Sequence, residues 1–296
     1  MRDLLYLLLG YLSGCVLYAE VFSRVFHKEI ASAAKDKNPG AANAFVHGGF
    51  WCGVLTLAGD MLKGMVPVAL YMHYLPEALL TPLAPLVLCA PVAGHVFPAT
   101  RSFKGGKGIA TTFGCLLGLL PFWTPVLVLA CIFIFYSTIL RITPNLSRTR
   151  VTYFTLPLGM LLMEVPLWIC FGTLCMTGMV LVRLHISTEE REKYLELCLL
   201  VGPSQYIPVA EFAERLTVSY STITADLDVV EKWLLENGLT LVKKSRMGLY
   251  VQGDETQILK TCLKRLGENI TLAEYDRYLC KKSLDNKIAL SILNEL

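Results

Sequence analysis

Long apolar runs with almost no charged residue constrain this chain more than any other feature of its sequence. Residues 109–140 contain no charged side chain, and residues 151–182 contain only Glu164. Three further runs each have the length of one membrane crossing: residues 4–22, 50–74 and 79–97. Because a helix needs roughly 20 apolar residues to cross the hydrocarbon core, the sequence predicts an all-α polytopic membrane region.

The two longest runs exceed one crossing and are interrupted by proline. Pro121 and Pro125 lie near the middle of the first run, and Pro166 lies next to Glu164 in the second. Since proline ends or kinks a helix, each run is predicted to form two short helices, which gives about seven crossings. With the N-terminus outside, this count places nearly all basic residues of the region on the cytoplasmic side. We therefore expect a multi-pass protein of the inner (plasma) membrane with a cytoplasmic C-terminal domain.

The charge pattern divides the chain into two parts. Residues 1–186 contain 13 lysines and arginines against 7 aspartates and glutamates, and residues 187–296 contain 14 against 17. The net charges are therefore +6 and −3. We predict a membrane domain at 1–186, a small α+β domain at 187–255 and a helical extension at 256–296. The ten cysteines form no CxxC pair, which indicates buried thiols rather than metal ligands or disulfides.

A basic, glycine-rich segment between two apolar runs points to chemistry. It reads GHVFPATRSFKGGKGIATT from Gly94 to Thr112 and contains Arg101, Lys104 and Lys107. Glycines let backbone amides approach a ligand, and the start of a helix leaves amides unpaired with a partial positive charge. The segment therefore predicts a phosphate site at the membrane surface. A basic flanking loop set by topology alone is the alternative, but such a loop does not need four glycines.

Other polar residues fall on the same predicted face. Asn38-Pro39-Gly40 is a turn signal, and Asn43 follows it with a side chain that can donate and accept hydrogen bonds. Asp60 and Lys63 share a helix face, either as a structural ion pair or facing a ligand. His95 precedes the basic loop and is either a structural residue or a proton carrier.

Three segments together resemble the acyl-phosphate-dependent glycerol-3-phosphate acyltransferases of bacteria (the PlsY family). They are NPGAAN at Asn38–Asn43, DMLKGMVPV at Asp60–Val68 and GHVFPATRSFKGGKGIAT at Gly94–Thr111. The likeness covers about residues 1–190, and the third segment is the most specific.

The resemblance implies transfer of a fatty acyl group from acyl phosphate to the 1-hydroxyl of sn-glycerol 3-phosphate, which yields lysophosphatidic acid. It implies neither a metal nor another cofactor, and its partners are the two substrates and the lipid bilayer. His95 is the implied catalytic residue, in a positioning or proton-handling role. The implied substrate-binding residues are Asn38, Gly40, Asn43, Lys63, Lys104, Gly105, Gly106, Lys107 and Gly108.

Three departures from the family pattern keep other functions open. The family's GSIP-like motif is here Gly14-Cys15-Val16-Leu17, Lys35-Asp36-Lys37 replaces its GSG, and its Ser-rich motif is not recognisable at Leu146–Thr152. A catalytically degenerate, membrane-tethered regulator or sensor is the alternative. A transporter is disfavoured because the apolar runs show no internal repeat.

The C-terminal part reads as a winged helix-turn-helix. Helices are predicted at Val209–Leu216 and Ser221–Asn237, with Ser219 as N-cap, and strands at Leu239–Lys244 and Leu249–Gln252. The pattern resembles modules of regulators controlled by sugar phosphotransferase systems. Its partner is predicted to be DNA or a protein, and the net charge of −3 speaks against DNA.

Overall fold

The chain forms two compact units in a computed structural model, Met1–Ile186 and Ser187–Leu296. The structure describes residues 2–28, 40–74, 81–201, 206–216, 218–244 and 247–267. Asn38 of the predicted site and the Lys35–Lys37 segment lie outside these residues.

The first unit is built from helices. Their bounds are Arg2–Cys15 (α1), Tyr18–Val25 (α2), Phe50–Tyr74 (α3), Ala84–Val96 (α4), Ile109–Leu117 (α5), Thr124–Ile134 (α6), Asn145–Leu162 (α7) and Leu167–Val201 (α8). A single turn at Ala41–Asn43 runs into a π-helical turn, and π-helical geometry also extends α6 through Ile139. The last residues of α8 belong to the second unit.

Both long apolar runs are divided into two helices. The first run breaks between α5 and α6, where Pro121 lies, and the second breaks between α7 and α8, where Glu164 has a φ of +52°. By length and composition alone, α3 and α8 can each cross a membrane among the described helices, and α1 with α2, bent by 42°, is a third candidate. The count of seven crossings therefore stays a prediction.

The helices of this unit approach one another at glycines. A Cβ atom on Gly94 of α4 would lie 2.0 Å from the carbonyl oxygen of Tyr11 on α1, and one on Gly114 of α5 would lie 2.0 Å from that of Met61 on α3. Close backbone contact through small residues is typical of helices packed within a membrane. These crossings bring the start of α5 next to the middle of α3, which carries Lys63.

The outer surface of the unit is apolar. Leucine side chains are exposed along α1, α3 and α7, for example at Leu8, Leu62 and Leu158. Large exposed apolar area is rare on monomeric soluble proteins, so this surface is suited to lipid.

Within its described residues, which end at 267, the second unit contains the end of α8, three further helices and one antiparallel hairpin. The elements are Val209–Leu216 (α9), Tyr220–Glu236 (α10), Thr240–Lys244 (β1), Gly248–Gln252 (β2) and Glu255–Gly267 (α11). Ser219 caps α10, since its side chain accepts a hydrogen bond from the Thr222 amide at 3.2 Å.

One apolar core joins these elements. Phe212, Val230, Leu249 and Cys262 are all buried in it. Because Cys262 lies on α11, the described part of the predicted extension belongs to the same core as the predicted small domain. The boundary at residue 255 stays a prediction.

Candidate functional site

The glycine-rich loop folds back over the end of α4. The Gly105 amide donates to the carbonyl oxygen of Val96 at 3.1 Å, and the Gly106 amide donates to that of His95 at 3.0 Å. A Cβ atom on Gly105 would lie 2.0 Å from the His95 carbonyl oxygen, and one on Gly106 would lie 2.2 Å from His95 Nε2. Both positions therefore require glycine because His95 is so close.

This geometry changes the physical reason for the two glycines. Their amides are predicted from the sequence to approach a ligand, whereas in the structure both amides donate to backbone carbonyl oxygens. The amides available to an anion in this segment are those at the start of α5, because the first turn of a helix has no intrahelical acceptor. That start carries partial positive charge and suits phosphate.

Gly108 forms the N-cap of α5. Its φ of +79° lies in the left-handed region, which glycine adopts without a steric penalty. Its carbonyl oxygen accepts hydrogen bonds from the amide of Thr112 at 2.8 Å and from Thr112 Oγ1 at 2.9 Å. The helix direction at this point is thus fixed by two bonds to one carbonyl group.

The cations of the loop occupy different positions. Lys104 and Arg101 are exposed, and Lys107 is partly buried. Arg101 forms an ion pair with Glu20 on α2. The loop is therefore tied to α2 through Arg101, and the side chain of Lys104 is exposed.

Lys63 is a buried residue of α3, and its side chain reaches the break that separates α1 from α2. Its Nζ donates to the carbonyl oxygen of Val16 at 2.6 Å and lies 2.8 Å from Asp60 Oδ1. Ser13 Oγ donates in turn to the Lys63 carbonyl oxygen at 3.0 Å. Cys15, at the position where the family motif has a hydroxyl, is buried in the same region.

His95 lies beside this ion pair. It is 3% exposed, and its Nδ1 is 3.7 Å from Asp60 Oδ1. The structure thus brings together Lys63, His95 and the loop Gly105–Gly108. Asn43 is buried on the turn that packs against α3, and Gly40 precedes that turn.

Arg183 is a member of this region that is absent from the predicted site residues. It is buried on α8, and its Nε donates to the Gly105 carbonyl oxygen at 3.0 Å. A usable signal existed, because Arg183 is the only cation between residues 151 and 186. A lone cation at the end of an apolar run often has a specific partner.

Fold and site define a helical membrane protein with a basic, glycine-rich loop closed over a buried histidine. A family model described as "Glycerol-3-phosphate acyltransferase" matches residues 4–191, so the chain belongs to that family. A second model, "Mga helix-turn-helix domain", matches residues 187–262.

Individual relatives agree with this assignment. The glycerol-3-phosphate acyltransferase of Ruthia magnifica is 42% identical over 113 residues, which cover 38% of this chain and 56% of the relative. The enzyme of Pseudomonas aeruginosa (strain LESB58) is 37% identical over 155 residues, which cover 51% of this chain and 77% of the relative. The chain thus aligns with little more than half of the first relative's length.

Solved structures share the fold. The glycerol 3-phosphate form of PlsY, an integral membrane glycerol 3-phosphate acyltransferase, matches with a TM-score of 0.56 and 21% identity, over 64% of this chain and 91% of that one. The lysophosphatidic acid form matches with a TM-score of 0.54 and 22% identity, over 62% and 88% of the two chains.

Proposed function

We propose that this chain transfers a fatty acyl group from acyl phosphate to the 1-hydroxyl of glycerol 3-phosphate, which gives lysophosphatidic acid. The observation that supports this most is the glycine-rich loop, whose Gly105 and Gly106 enclose His95 and lead directly into the start of α5. Membership in the family points to the same reaction.

Phosphate binding is assigned to the start of α5 and to the cations around it. Lys104 and Lys107 add full charges to the partial charge of the helix end. Asn38, Gly40, Asn43 and Lys63 complete the proposed set, together with the loop glycines. Within that set, Gly105 and Gly106 act through shape, because their amides bond to backbone carbonyls.

The proposed reaction needs little covalent help from the protein. The glycerol oxygen attacks the acyl carbon, a carbon–oxygen bond forms, and the bond from the acyl carbon to the phosphate oxygen breaks. Acyl phosphate is already activated, so positioning of the hydroxyl and stabilisation of the departing phosphate carry most of the rate. His95 is the proposed carrier of the hydroxyl proton.

The proposed location is the inner membrane, with about seven crossings, the N-terminus outside and the second unit in the cytoplasm. The positive-inside rule supports this orientation. The apolar outer surface of the first unit supports the bilayer as its environment.

The test is turnover by the full chain in lipid nanodiscs. Labelled glycerol 3-phosphate and a verified acyl phosphate should give labelled lysophosphatidic acid. The Lys104→Ala and Lys107→Ala variants should each lower the rate, because each removes a charge next to the start of α5. Absence of product from the folded wild-type protein would refute the enzymatic proposal.

The second unit supports a further candidate function as a binding module. Its match to the helix-turn-helix family is the observation that favours this. One basic residue of the hairpin is engaged within the unit, since Lys243 Nζ lies 2.5 Å from Glu231 Oε2 on α10, and this pairing favours a protein partner over DNA. Salt-sensitive, sequence-selective binding of duplex DNA by the full chain would establish DNA as the partner; binding of a protein in its place would support the alternative.

A further inference from the structure

The exposed face of α2 combines apolar and basic side chains. Val21 and Val25 lie one turn apart and are both exposed, and the exposed Arg24 lies on the same side of the helix. Lys28, three residues past the end of α2, is exposed as well. The exposed side chains of Leu4–Leu12 on α1, by contrast, are all leucines. An apolar face that carries lysine and arginine is typical of helices at the surface of a bilayer.

The change from apolar to basic side chains indicates where the hydrocarbon ends. Exposed apolar residues continue from α1 through Val16 to Val25, and Arg24 is the first cation after Arg2. These two arginines are 22 residues apart, roughly 33 Å along helices that rise 1.5 Å per residue. The hydrocarbon core of a bilayer is about 30 Å thick. The end of α2 therefore fits the boundary between lipid tails and headgroups.

The glycine-rich loop adds an exposed aromatic side chain near this helix. Phe103 is 62% exposed, and its amide donates to the carbonyl oxygen of Pro98 at 3.0 Å. Ser102 and Phe103 have φ values of +49° and +62°. Consecutive non-glycine residues in the left-handed region are uncommon, and such strain is typical of functional segments. The turn thus holds an apolar ring outward at a conformational cost.

An ion pair joins this turn to α2. Arg101 pairs with Glu20, which neutralises the one acidic residue of the helix. Glu20 lies one turn before Arg24, on the same edge of α2. Phe103 is two residues from Arg101, so their Cα atoms are at most about 7 Å apart. Phe103 is thereby held close to the basic edge of the helix.

We propose that these two segments form an interfacial surface that binds anionic phospholipid headgroups. The surface consists of Val21, Arg24, Val25, Lys28 and Phe103. Arg24 and Lys28 contact lipid phosphate, and the apolar side chains enter the upper part of the acyl chains. Lipid is favoured over a protein partner because the surface continues the apolar exterior of the first unit, and its positive charge complements anionic headgroups.

The interfacial surface also sets the depth of the glycine-rich loop. Lys104, a proposed phosphate ligand, follows Phe103 directly, so lipid contact at Phe103 holds Lys104 near the lipid phosphates. Acyl phosphate places its own phosphate at that level when its tail is in the bilayer. The loop therefore meets this substrate from the membrane side. Only this consequence rests on the proposed function, since the lipid contact does not require acyl transfer.

Photocrosslinking from position 103 tests the lipid contact without turnover. The full chain carries p-benzoyl-phenylalanine in place of Phe103, in nanodiscs whose major lipid is phosphatidylethanolamine and whose minor lipid is phosphatidylglycerol with the same acyl chains. Mass spectrometry of the adducts should show phosphatidylglycerol enriched about fivefold over its share of the bilayer, the effect of one cation at an anionic surface. Adducts in the bulk ratio, or a crosslink to protein with no lipid adduct, would overturn the proposal.

Charge variants and a second probe position supply the controls. Arg24→Gln and Lys28→Gln should each lower the enrichment, because each removes a charge that binds lipid phosphate. Arg141→Gln removes an exposed charge elsewhere in the first unit and should leave the enrichment unchanged. The same probe at Leu8, exposed on α1 and 16 residues before Arg24, should give adducts in the bulk ratio. An enrichment that neither Arg24→Gln nor Lys28→Gln alters would contradict the proposal.

Turnover in the same nanodiscs tests the consequence for acyl phosphate. Phe103→Ser should raise the KM for acyl phosphate on the order of tenfold, the effect of burying one apolar side chain, with kcat and the KM for glycerol 3-phosphate little changed. Phe103→Leu should keep most of the wild-type KM, because it keeps an apolar side chain. An equal rise in both KM values would overturn this role. If the wild type shows no turnover but the adducts show the enrichment, the acyl-transfer proposal fails and the interfacial surface stands.

Discussion

Arg183 donates a hydrogen bond from Nε to the carbonyl oxygen of Gly105 at 3.0 Å, which joins the last helix of the membrane unit to the glycine-rich loop. The two residues are 78 positions apart in the chain. Gly105 in turn bonds through its amide to Val96. The loop is therefore held at Gly105 by two hydrogen bonds. Its carbonyl group bonds to α8, and its amide bonds to the end of α4.

Replacing Arg183 with glutamine should loosen the loop. Loss of a buried, charge-assisted hydrogen bond costs about 1.5–3 kcal/mol, so we expect a lower free energy of unfolding and at least tenfold slower acyl transfer. Thermal unfolding and turnover in the same nanodiscs measure both. Arg141→Gln is the control, because Arg141 is exposed and contacts only the carbonyl oxygen of Thr138 in the described hydrogen bonds. Wild-type stability and rate in Arg183→Gln would contradict the role given to this bond.

A buried ion pair should control the stability of the second unit. Arg191 and Asp226 are both buried, and Arg191 Nη2 donates to Asp226 Oδ1 at 2.8 Å. Removal of one partner leaves a buried charge and typically costs 3–5 kcal/mol. Asp226→Asn should therefore lower the free energy of unfolding of this unit by about that amount.

Asp228→Asn is the matched comparison for Asp226→Asn. The Asp228 side chain is 75% exposed, and its Oδ1 lies 4.0 Å from Lys243 Nζ, at the outer limit for an ion pair. Its effect should stay within about 0.5 kcal/mol. Urea denaturation of the full chain, followed by a probe in the second unit, tests the difference. If the two changes lowered the free energy of unfolding equally, the buried pair would contribute no more to stability than an exposed one.

Cys262 offers such a probe. Burial in the apolar core raises the pKa of its thiol to about 12, above the ordinary value of 9.0. Because the thiolate is the reactive form, Cys262 should resist alkylation at pH 8 while the unit is folded and react when urea opens it. The raised pKa also means that this thiol favours the folded state below pH 9, and that this contribution is lost as the pH rises from 9 toward 12.

Mass spectrometry of alkylated peptides measures the reaction of Cys262. The exposed Cys131 lies on the apolar surface of the first unit and reports the reagent's access to lipid. Rapid labelling of Cys262 at pH 8 in the folded protein would contradict the packing of α11 in the core.

Prolines show how far the sequence predicts the helices. Pro121 and Pro166 mark the breaks in the two long runs, as predicted, yet Pro67, Pro91 and Pro157 lie inside helices. Within a membrane unit, neighbouring helices can re-satisfy the backbone groups that proline frees. The presence of proline alone therefore does not distinguish a helix break from a position inside a helix.

The site was predictable in its residues but not in its internal contacts. The loop, His95 and Lys63 follow from motifs, whereas the bonds of the Gly105 and Gly106 amides depend on how α4 and the loop fold back. The contacts of Arg183 and Asp60 join distant segments, and no local pattern specifies such pairs. The bounds of α9 agree with the prediction because its amphipathic period is local.

The most direct test of the account compares two glycine variants in the acyl-transfer assay. A methyl group on Gly106 would lie 2.2 Å from His95 Nε2, whereas one on Gly178 meets no atom within 4 Å. We predict lysophosphatidic acid from wild type and Gly178→Ala at similar rates, and on the order of 100-fold less from Gly106→Ala. A wild-type rate in Gly106→Ala would contradict the placement of the reaction at this loop.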